Sequence, residues 1–340
     1  MASPLTTRTA PPNSFVIPDR KIAYLSVTKA ACTSLRWMVA DLSGEDLASF
    51  PRSTGATQTQ LMTIHGGRER WKKTPTLGEL GAEALSAVHP DNGWFVFAVV
   101  RDPWSRLWSA WQSKFLVQHG KYLRDYADEP FYPRVPTSAG EVIEDFRQFA
   151  VQQPWRSHPL LSTDTHFRTQ SAALALDVVP YSRVYDVHTM PELLADVHQH
   201  LAALGRDQEL YVPRANETPL PPVRDLFDDE VRRSVEDAYA ADFEAFPGRW
   251  TLDQVRFVDS WSDDALANVR AQVAANERIG ALSTRAREFN QERKEVAALL
   301  RDTERQLADA RRRAADLESE PLWHVAARRA KRRARRWLPG

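Results

Sequence analysis

Two short runs of β-forming residues, each followed by a polar turn and a helical pattern, organise the first third of the chain. Ile22-Ala-Tyr-Leu-Ser-Val27 is compact and apolar enough for a buried strand. It breaks into Thr28-Lys-Ala-Ala-Cys-Thr-Ser34, and a helix is expected from about Ser34 to Leu42, stopping near Ser43-Gly44. Trp94–Val100 is a continuous aromatic and β-branched run, the pattern of a central parallel strand covered on both faces. It ends in Arg101-Asp102-Pro103. Apolar positions 107, 108, 111 and 115 then mark a helix from Trp104 to about Val117, with proline tolerated in its first turn.

The remaining pattern is coarser. Residues 51–92 read as loop, with a helical piece around Leu77–Val88. Tyr122 to Pro136 is aromatic and proline-rich without a regular period, as in a lid or acceptor loop. Amphipathic helices are expected over Val142–Val151 and Met190–Leu204, with a strand at Val178–Tyr185 between them. A proline-rich loop over 212–222 leads to a long helix, Asp228–Phe246. The whole predicts an α/β fold, a parallel sheet flanked by helices.

From about Ser262 the composition turns to Ala, Arg, Glu and Gln. Val296, Thr303, Ala310 and Leu317 recur every seven residues, interleaved with Leu300, Leu307 and Ala314. That is a 4-3 heptad seam, through which copies of the chain could associate. Thr and Ala bury little, and Asn276 and Gly280 interrupt the pattern upstream, so a solvated helical extension is the competing reading. The expected organisation is a disordered leader over 1–14, an α/β domain over 15–260, a helical or coiled-coil extension over 261–320 and a basic amphipathic tail over 321–340.

Composition sharpens this picture at the tail. The chain of 340 residues balances 45 basic against 45 acidic side chains. Seven Arg and Lys lie between Arg328 and Arg336, leaving 38 basic against 45 acidic residues before them. Trp323 and Trp337 bracket that run, a composition suited to a helix lying on anionic lipid. Nucleic acid is the weaker candidate partner, since no base-reading module accompanies the charge. The single cysteine, Cys32, excludes an intramolecular disulfide and fits a reducing compartment. Residues 1–13 carry no apolar signal core, and the longest apolar run, Trp94–Val100, is far below the ~20 residues of a membrane span. A cytoplasmic protein, peripheral on a membrane through its tail, is therefore expected.

The chemistry-bearing residues cluster where the strands end. Lys29, Thr33 and Ser34 stand at a strand–loop–helix junction, where backbone N–H groups and an ammonium suit an anion. The nucleoside triphosphate loop G-x-x-x-x-G-K-[ST] does not fit, because Lys29 precedes the small residues and no glycine is present. An ordinary strand-to-helix turn is the alternative. Arg101 directly follows a buried strand, where an unpaired charge is costly and a guanidinium fork suits phosphate. Arg106 and Ser109 follow at helical spacing. The alternative there is a surface helix with solvated charges. Together the two junctions point to a ligand with two separated anionic groups.

Val27-Thr-Lys-Ala-Ala-Cys-Thr-Ser-Leu35 resembles the V-P-K-x-G-C-T-[NS]-W segment of the Golgi-type carbohydrate sulfotransferases. Val99-Val-Arg-Asp-Pro-Trp-Ser-Arg-Leu-Trp-Ser-Ala-Trp-Gln-Ser-Lys-Phe115 resembles their R-[DE]-P-x-x-R-L-x-S-A-[YF]-x-x-K-F. Downstream, Asp164-Thr-His-Phe-Arg-Thr-Gln170 is similar to their H-[WF]-x-x-Q. Tyr185-Asp186 is similar to their Y-D, and Tyr239-Ala-Ala-Asp-Phe-Glu-Ala-Phe246 to their Y-x-x-D-[FY]-x-x-[FY]. The likeness runs in order over residues 20–250. It departs at Thr28, where the family has Pro, and at Ala31, where it has Gly; the cysteines and membrane anchor of secreted relatives are also missing.

The resemblance implies a sulfotransferase fold like that of P-loop nucleotide kinases. It also implies 3′-phosphoadenosine-5′-phosphosulfate (PAPS) as sulfuryl donor, and a hydroxyl of a carbohydrate or glycolipid as acceptor. Lys29, Thr33 and Ser34 would hold the 5′-phosphosulfate, and Arg101 with Ser109 the 3′-phosphate. No metal is expected, because Lys29 and Arg101 bring the positive charge that Mg²⁺ brings in kinases. Relatives carry a His between the two segments, so His65 is the expected base, with Lys29 also catalytic at the leaving oxygen. A loop His bonded to backbone is the other reading of His65. His158 and His166 are the alternative histidines, lining an acceptor site or structural. Asn216-Glu217-Thr218 is expected to form a loop beside the donor. A small-molecule kinase and a non-catalytic scaffold with a vestigial nucleotide site are the rival functions.

Overall fold

The computed structural model describes residues 5–52, 59–206, 208–215, 218–318 and 322–336. Among them a four-stranded sheet has the order β1 (Ser14–Ile17), β2 (Ile22–Leu25), β3 (Phe95–Val100), β4 (Arg183–Asp186). β2, β3 and β4 are parallel, with Leu25 beside Ala98 and Val100 beside Asp186. β1 is antiparallel to β2, with Ser14 opposite Leu25 and Ile17 opposite Ile22. The sheet is therefore mixed, a parallel core with one antiparallel edge strand, where an all-parallel sheet was expected. The edge strand begins inside the segment read as a leader, and from residue 5 onward that segment packs Leu5 and Ala10 against the core.

Alternation along the strands divides the core into two layers. Ala23, Leu25, Val96, Ala98 and Val100 face one layer, together with Trp104, Leu107, Trp108 and Trp111 of the Pro103–Trp111 helix. Ile22, Tyr24, Phe97, Val99 and Tyr185 face the other, against Leu35, Met38 and Val39 of α1 (Cys32–Leu42). Both faces of β3 are thus covered, which explains its unbroken apolar run.

The connection from α1 to β3 holds α2 (Ser49–Arg52), α3 (Ala82–Ser86) and several 3₁₀ turns. After β3, α4 (Pro103–Trp111) starts where Asp102 accepts a hydrogen bond from the Ser105 N–H at 2.7 Å. It passes directly into a π-helical turn, Gln112–Leu116. Then come α5 (Gly120–Tyr126), α6 (Ala139–Gln152), α7 (Pro154–Ser157), α8 (Gln170–Leu174) and, after β4, α9 (Met190–Ala203). The aromatic stretch read as irregular is thus partly helical. The long helix expected at 228–246 is two, α10 (Asp229–Ala238) and α11 (Ala240–Ala245), broken at Tyr239.

The chain divides into compact units Met1–Gly280 and Ala281–Gly340. α12 (Asp263–Glu318) opens in the first, where Leu266, Val269 and Val273 are buried and the Asn276 side chain donates to the Val117 carbonyl at 2.7 Å. It continues through Gly280 without a break. In the second unit Leu282, Phe289, Val296, Leu299, Leu300 and Leu307 are exposed, and α13 (Leu322–Arg336) carries the basic run. No helix among the described residues is long and apolar enough to cross a membrane.

Candidate active site at the ends of strands β2 and β3

The first junction is a sharp turn that aims the start of α1 back over the sheet. Val27 and Ala30 are buried and joined by a backbone hydrogen bond of 3.3 Å, and the turn holds Lys29 at φ +68° with Ala31 just after it at φ +56°. Positive φ strains both non-glycine residues and explains why relatives have glycine at the position of Ala31. Arg106 braces the turn by donating from Nε to the Thr28 carbonyl at 3.0 Å. Ala31 caps α1 without a side-chain bond, and among the described residues the N–H groups of Cys32, Thr33 and Ser34 have no acceptor. These open donors at a helix start form an anion cradle.

Lys29 sits in that cradle. It is buried and donates to Ser113 Oγ at 3.0 Å. Burial, and then the charge of Lys114, push its ammonium down to about 7, with Arg101 and Arg106 adding to the repulsion. Lys114, from the π turn, also lies below its ordinary range because of burial; its Nζ stands 5.5 Å from the Tyr122 ring centre. Four cations therefore act on one another, offset in part by Asp164 at Lys114 and by Asp102 and Asp186 at Arg101, an arrangement favourable around a polyanion.

His65 closes one side. Its Nδ1 lies 3.0 Å from Arg36 Nη1, and its Nε2 lies 2.9 Å from Thr33 Oγ1. A guanidinium only donates, so Nδ1 accepts and the ring proton sits on Nε2, donated to Thr33. The Thr33 hydroxyl is left to donate its own proton away from His65. Burial, followed by Arg36 and Lys114, pushes the imidazole down to about 3, so it is neutral near pH 7.

The second junction is held from behind. The Arg101 N–H donates to Gln170 Oε1 at 2.9 Å, and Gln170 Nε2 donates to the Arg101 carbonyl at 2.7 Å. Gln170 is fixed in turn by Asp242, which accepts from the Gln170 N–H at 3.0 Å and the Ser171 N–H at 2.8 Å. The Tyr239 hydroxyl donates to the Phe167 carbonyl at 3.0 Å, and Trp250 donates to Asp186 at 2.6 Å. The downstream motifs thus form a brace that fixes the strand end. The Arg101 guanidinium makes no hydrogen bond or ion pair among the described residues. Burial lowers its pKa while the Asp102 and Asp186 charges oppose that shift. Ser109, on α4, is buried, and among the described residues Arg106 Nη1 is buried without a partner.

A family model for the sulfotransferase family matches residues 12–247. The chain belongs to the sulfotransferase family. No curated protein and no solved structure gives a significant match. The matched segment of this sulfotransferase-family chain contains both junctions, the Gln170–Asp242 part of the brace and all of the sheet.

Thr33 and His65 are in contact at the first junction, whose turn and helix start also carry Lys29 and Ser34; Arg101 follows β3 at the second, with Ser109 further along α4, and Lys29 lies within the field of Arg101. His158 stands apart, 3.3 Å from Glu129 and against the Tyr126 and Phe131 rings, in a structural setting. Asn216 and Glu217, expected beside the ligand, lie outside the described residues. His166, an alternative histidine in the sequence, stands beside Asp164, and two further participants, Lys114 and Arg36, were given no role from sequence. Lys114 had a signal in the K-F of the second motif. Arg36 had none, because its contact with His65 joins distant segments.

Proposed function

We propose that this chain moves a sulfuryl group from PAPS to a hydroxyl of a carbohydrate or glycolipid. The observation that carries the reading is the pair of basic, open donor sites at adjacent strand ends. Lys29 and the open N–H groups of α1 suit a phosphosulfate, and Arg101 with Ser109 suits a separate phosphate. Sulfuryl transfer spreads charge over equatorial oxygens, so positioning and electrostatics dominate. Lys29 can hold the phosphate oxygen released when the S–O bond breaks. Thr33, its proton aimed away from His65, and Ser34 can donate to the phosphosulfate oxygens. Arg101 and Ser109 orient the donor through its 3′-phosphate, with the Gln170–Asp242 brace keeping the strand end in place.

The acceptor face lies where the π turn and α5 bring Lys114 and Tyr122 toward His166. We further propose that α13 holds the protein peripherally on an anionic cytoplasmic membrane surface, close to lipid-linked acceptors. The exposed Val296, Leu300 and Leu307 of α12 would join two copies. The functional test is transfer of radiolabelled sulfate from PAPS to soluble oligosaccharides and glycolipid micelles. Label in the acceptor fraction supports the reading. Phosphate transfer from ATP by the same preparation, with none from PAPS, would replace it with a kinase.

A further inference from the structure

We infer that His166, oriented by Asp164, is the base that takes the acceptor hydroxyl proton, while His65 positions Thr33. The inference rests on the sulfuryl-transfer reading above and names a residue within it.

Asp164 is built to fix one tautomer of His166. Its Oδ1 lies 2.7 Å from His166 Nδ1 and accepts the His166 backbone N–H at 2.9 Å. Its Oδ2 accepts the Tyr122 hydroxyl at 2.5 Å. Burial opposes ionisation of this carboxyl, but the bonds and charge of His166 and the Tyr122 bond overcome it and hold the group well below the carboxylate range. An ionised, fully bonded Asp164 accepts only, so His166 must carry its proton on Nδ1. Its Nε2 then presents a lone pair with no partner among the described residues, on a ring about one-quarter exposed. This is the orienting logic of a carboxylate–imidazole pair. His65 has the opposite arrangement, since both of its nitrogens are engaged.

The two histidines share the pocket of Lys29 and Lys114, whose charges both act on His166. Burial depresses His166 to about 4, Asp164 pulling it up and Lys114 pushing it down. A bound dianion offsets the two ammonium charges and raises the basicity of His166, so the base strengthens when donor is present. In the step, the acceptor O–H gives its proton to His166 Nε2 as the oxygen forms the new O–S bond. The S–O bond to the donor phosphate breaks with its electron pair, which Lys29 stabilises. The imidazolium, paired with Asp164, later returns its proton to water.

The test uses the full-length protein with ¹⁵N-labelled histidine. Long-range ¹H–¹⁵N spectra at pH 7 should show Nδ1–H for His166 and Nε2–H for His65. Adding 3′,5′-adenosine bisphosphate should raise the His166 titration midpoint by about one unit or more. H166Q should bind the bisphosphate as wild type does, yet turn over PAPS about 10²–10⁴-fold more slowly with mixed soluble oligosaccharides as acceptors. Asp164→Asn should release the Nδ1–H tautomer and lower kcat with little change in donor affinity. An Nε2–H tautomer for His166, or wild-type turnover in H166Q, overturns the assignment alone. Failure of the wild-type protein to bind the bisphosphate overturns the sulfuryl-transfer reading beneath it.

Discussion

Binding of 3′,5′-adenosine bisphosphate or PAPS should draw a proton onto Lys29 at pH 8, and Lys29→Met should remove most of that uptake. Burial and the Lys114, Arg101 and Arg106 charges bring Lys29 to about 7. At pH 8 the ammonium is therefore only about one-tenth populated in the free protein. A bound anion beside it replaces repulsion by attraction and should lift the value by about 2 units or more, charging roughly nine-tenths of the molecules. Uptake is then about 0.8 proton per ligand at pH 8 and about 0.1 at pH 6, where Lys29 is already charged. Isothermal titration in two buffers with different heats of ionisation reads this number directly. Affinity should fall as pH rises from about 7 toward the bound-state pKa, because the free protein must first acquire the proton. The same depression makes Lys29 a destabilising group in the free protein. Between about 7 and its ordinary 10.5 the unfolded chain holds the proton that the folded chain lacks, so stability from this group rises with pH there. Lys29→Met should accordingly raise the free protein's stability at pH 6, by an amount on the order of 2 kcal/mol. Tight binding at pH 8 without proton uptake, or equal uptake in Lys29→Met, would refute the reasoning.

Other expectations follow from neighbouring parts of the fold. Arg101→Ala should weaken bisphosphate binding by about 10–100-fold, the value of charge-assisted bonds to one phosphate, and leave the melting temperature close to wild type. Asp242→Ala strands the N–H groups of Gln170 and Ser171 in the core and should cost about 2–4 kcal/mol in urea denaturation; an unchanged midpoint would remove the brace from the account. Ala31→Gly should relieve left-handed strain worth about 1 kcal/mol and raise the melting temperature by a few degrees, whereas a lower one would contradict the φ of +56°. Deleting residues 321–340 should abolish sedimentation with anionic vesicles while sparing transfer to soluble acceptors; unchanged sedimentation would reject the tail as the membrane contact.

Much of the site was legible because its groups are local to two strand ends. Lys29, Thr33 and Ser34 lie within one turn of each other, and Arg101 is fixed by the strand before it, so spacing alone groups them. What was hidden depends on contacts between distant segments. His65 reads as a base or as a loop histidine bonded to backbone until Arg36 and Thr33 are seen to occupy its ring. His166 looks like half of a motif until Asp164 and Tyr122 are seen to fix its tautomer. The edge strand Ser14–Ile17 is too short to show a period, and its pairing with β2 turns an expected parallel sheet into a mixed one. Lys114 lies in a helical pattern that continues through a π turn, and the change of pitch directs it toward Tyr122.

The central claim is a donor site for a nucleotide carrying separate 3′ and 5′ anionic groups. Thermal unfolding with 3′,5′-adenosine bisphosphate, 5′-ADP or ATP, on wild type and Arg101→Ala, tests it most directly. At a ligand concentration ~100 times the dissociation constant, stabilisation is about 2.7 kcal/mol, an easily resolved shift. The account predicts that shift with the bisphosphate alone and its loss in Arg101→Ala. A shift with ATP instead, or none with any of the three, would contradict it.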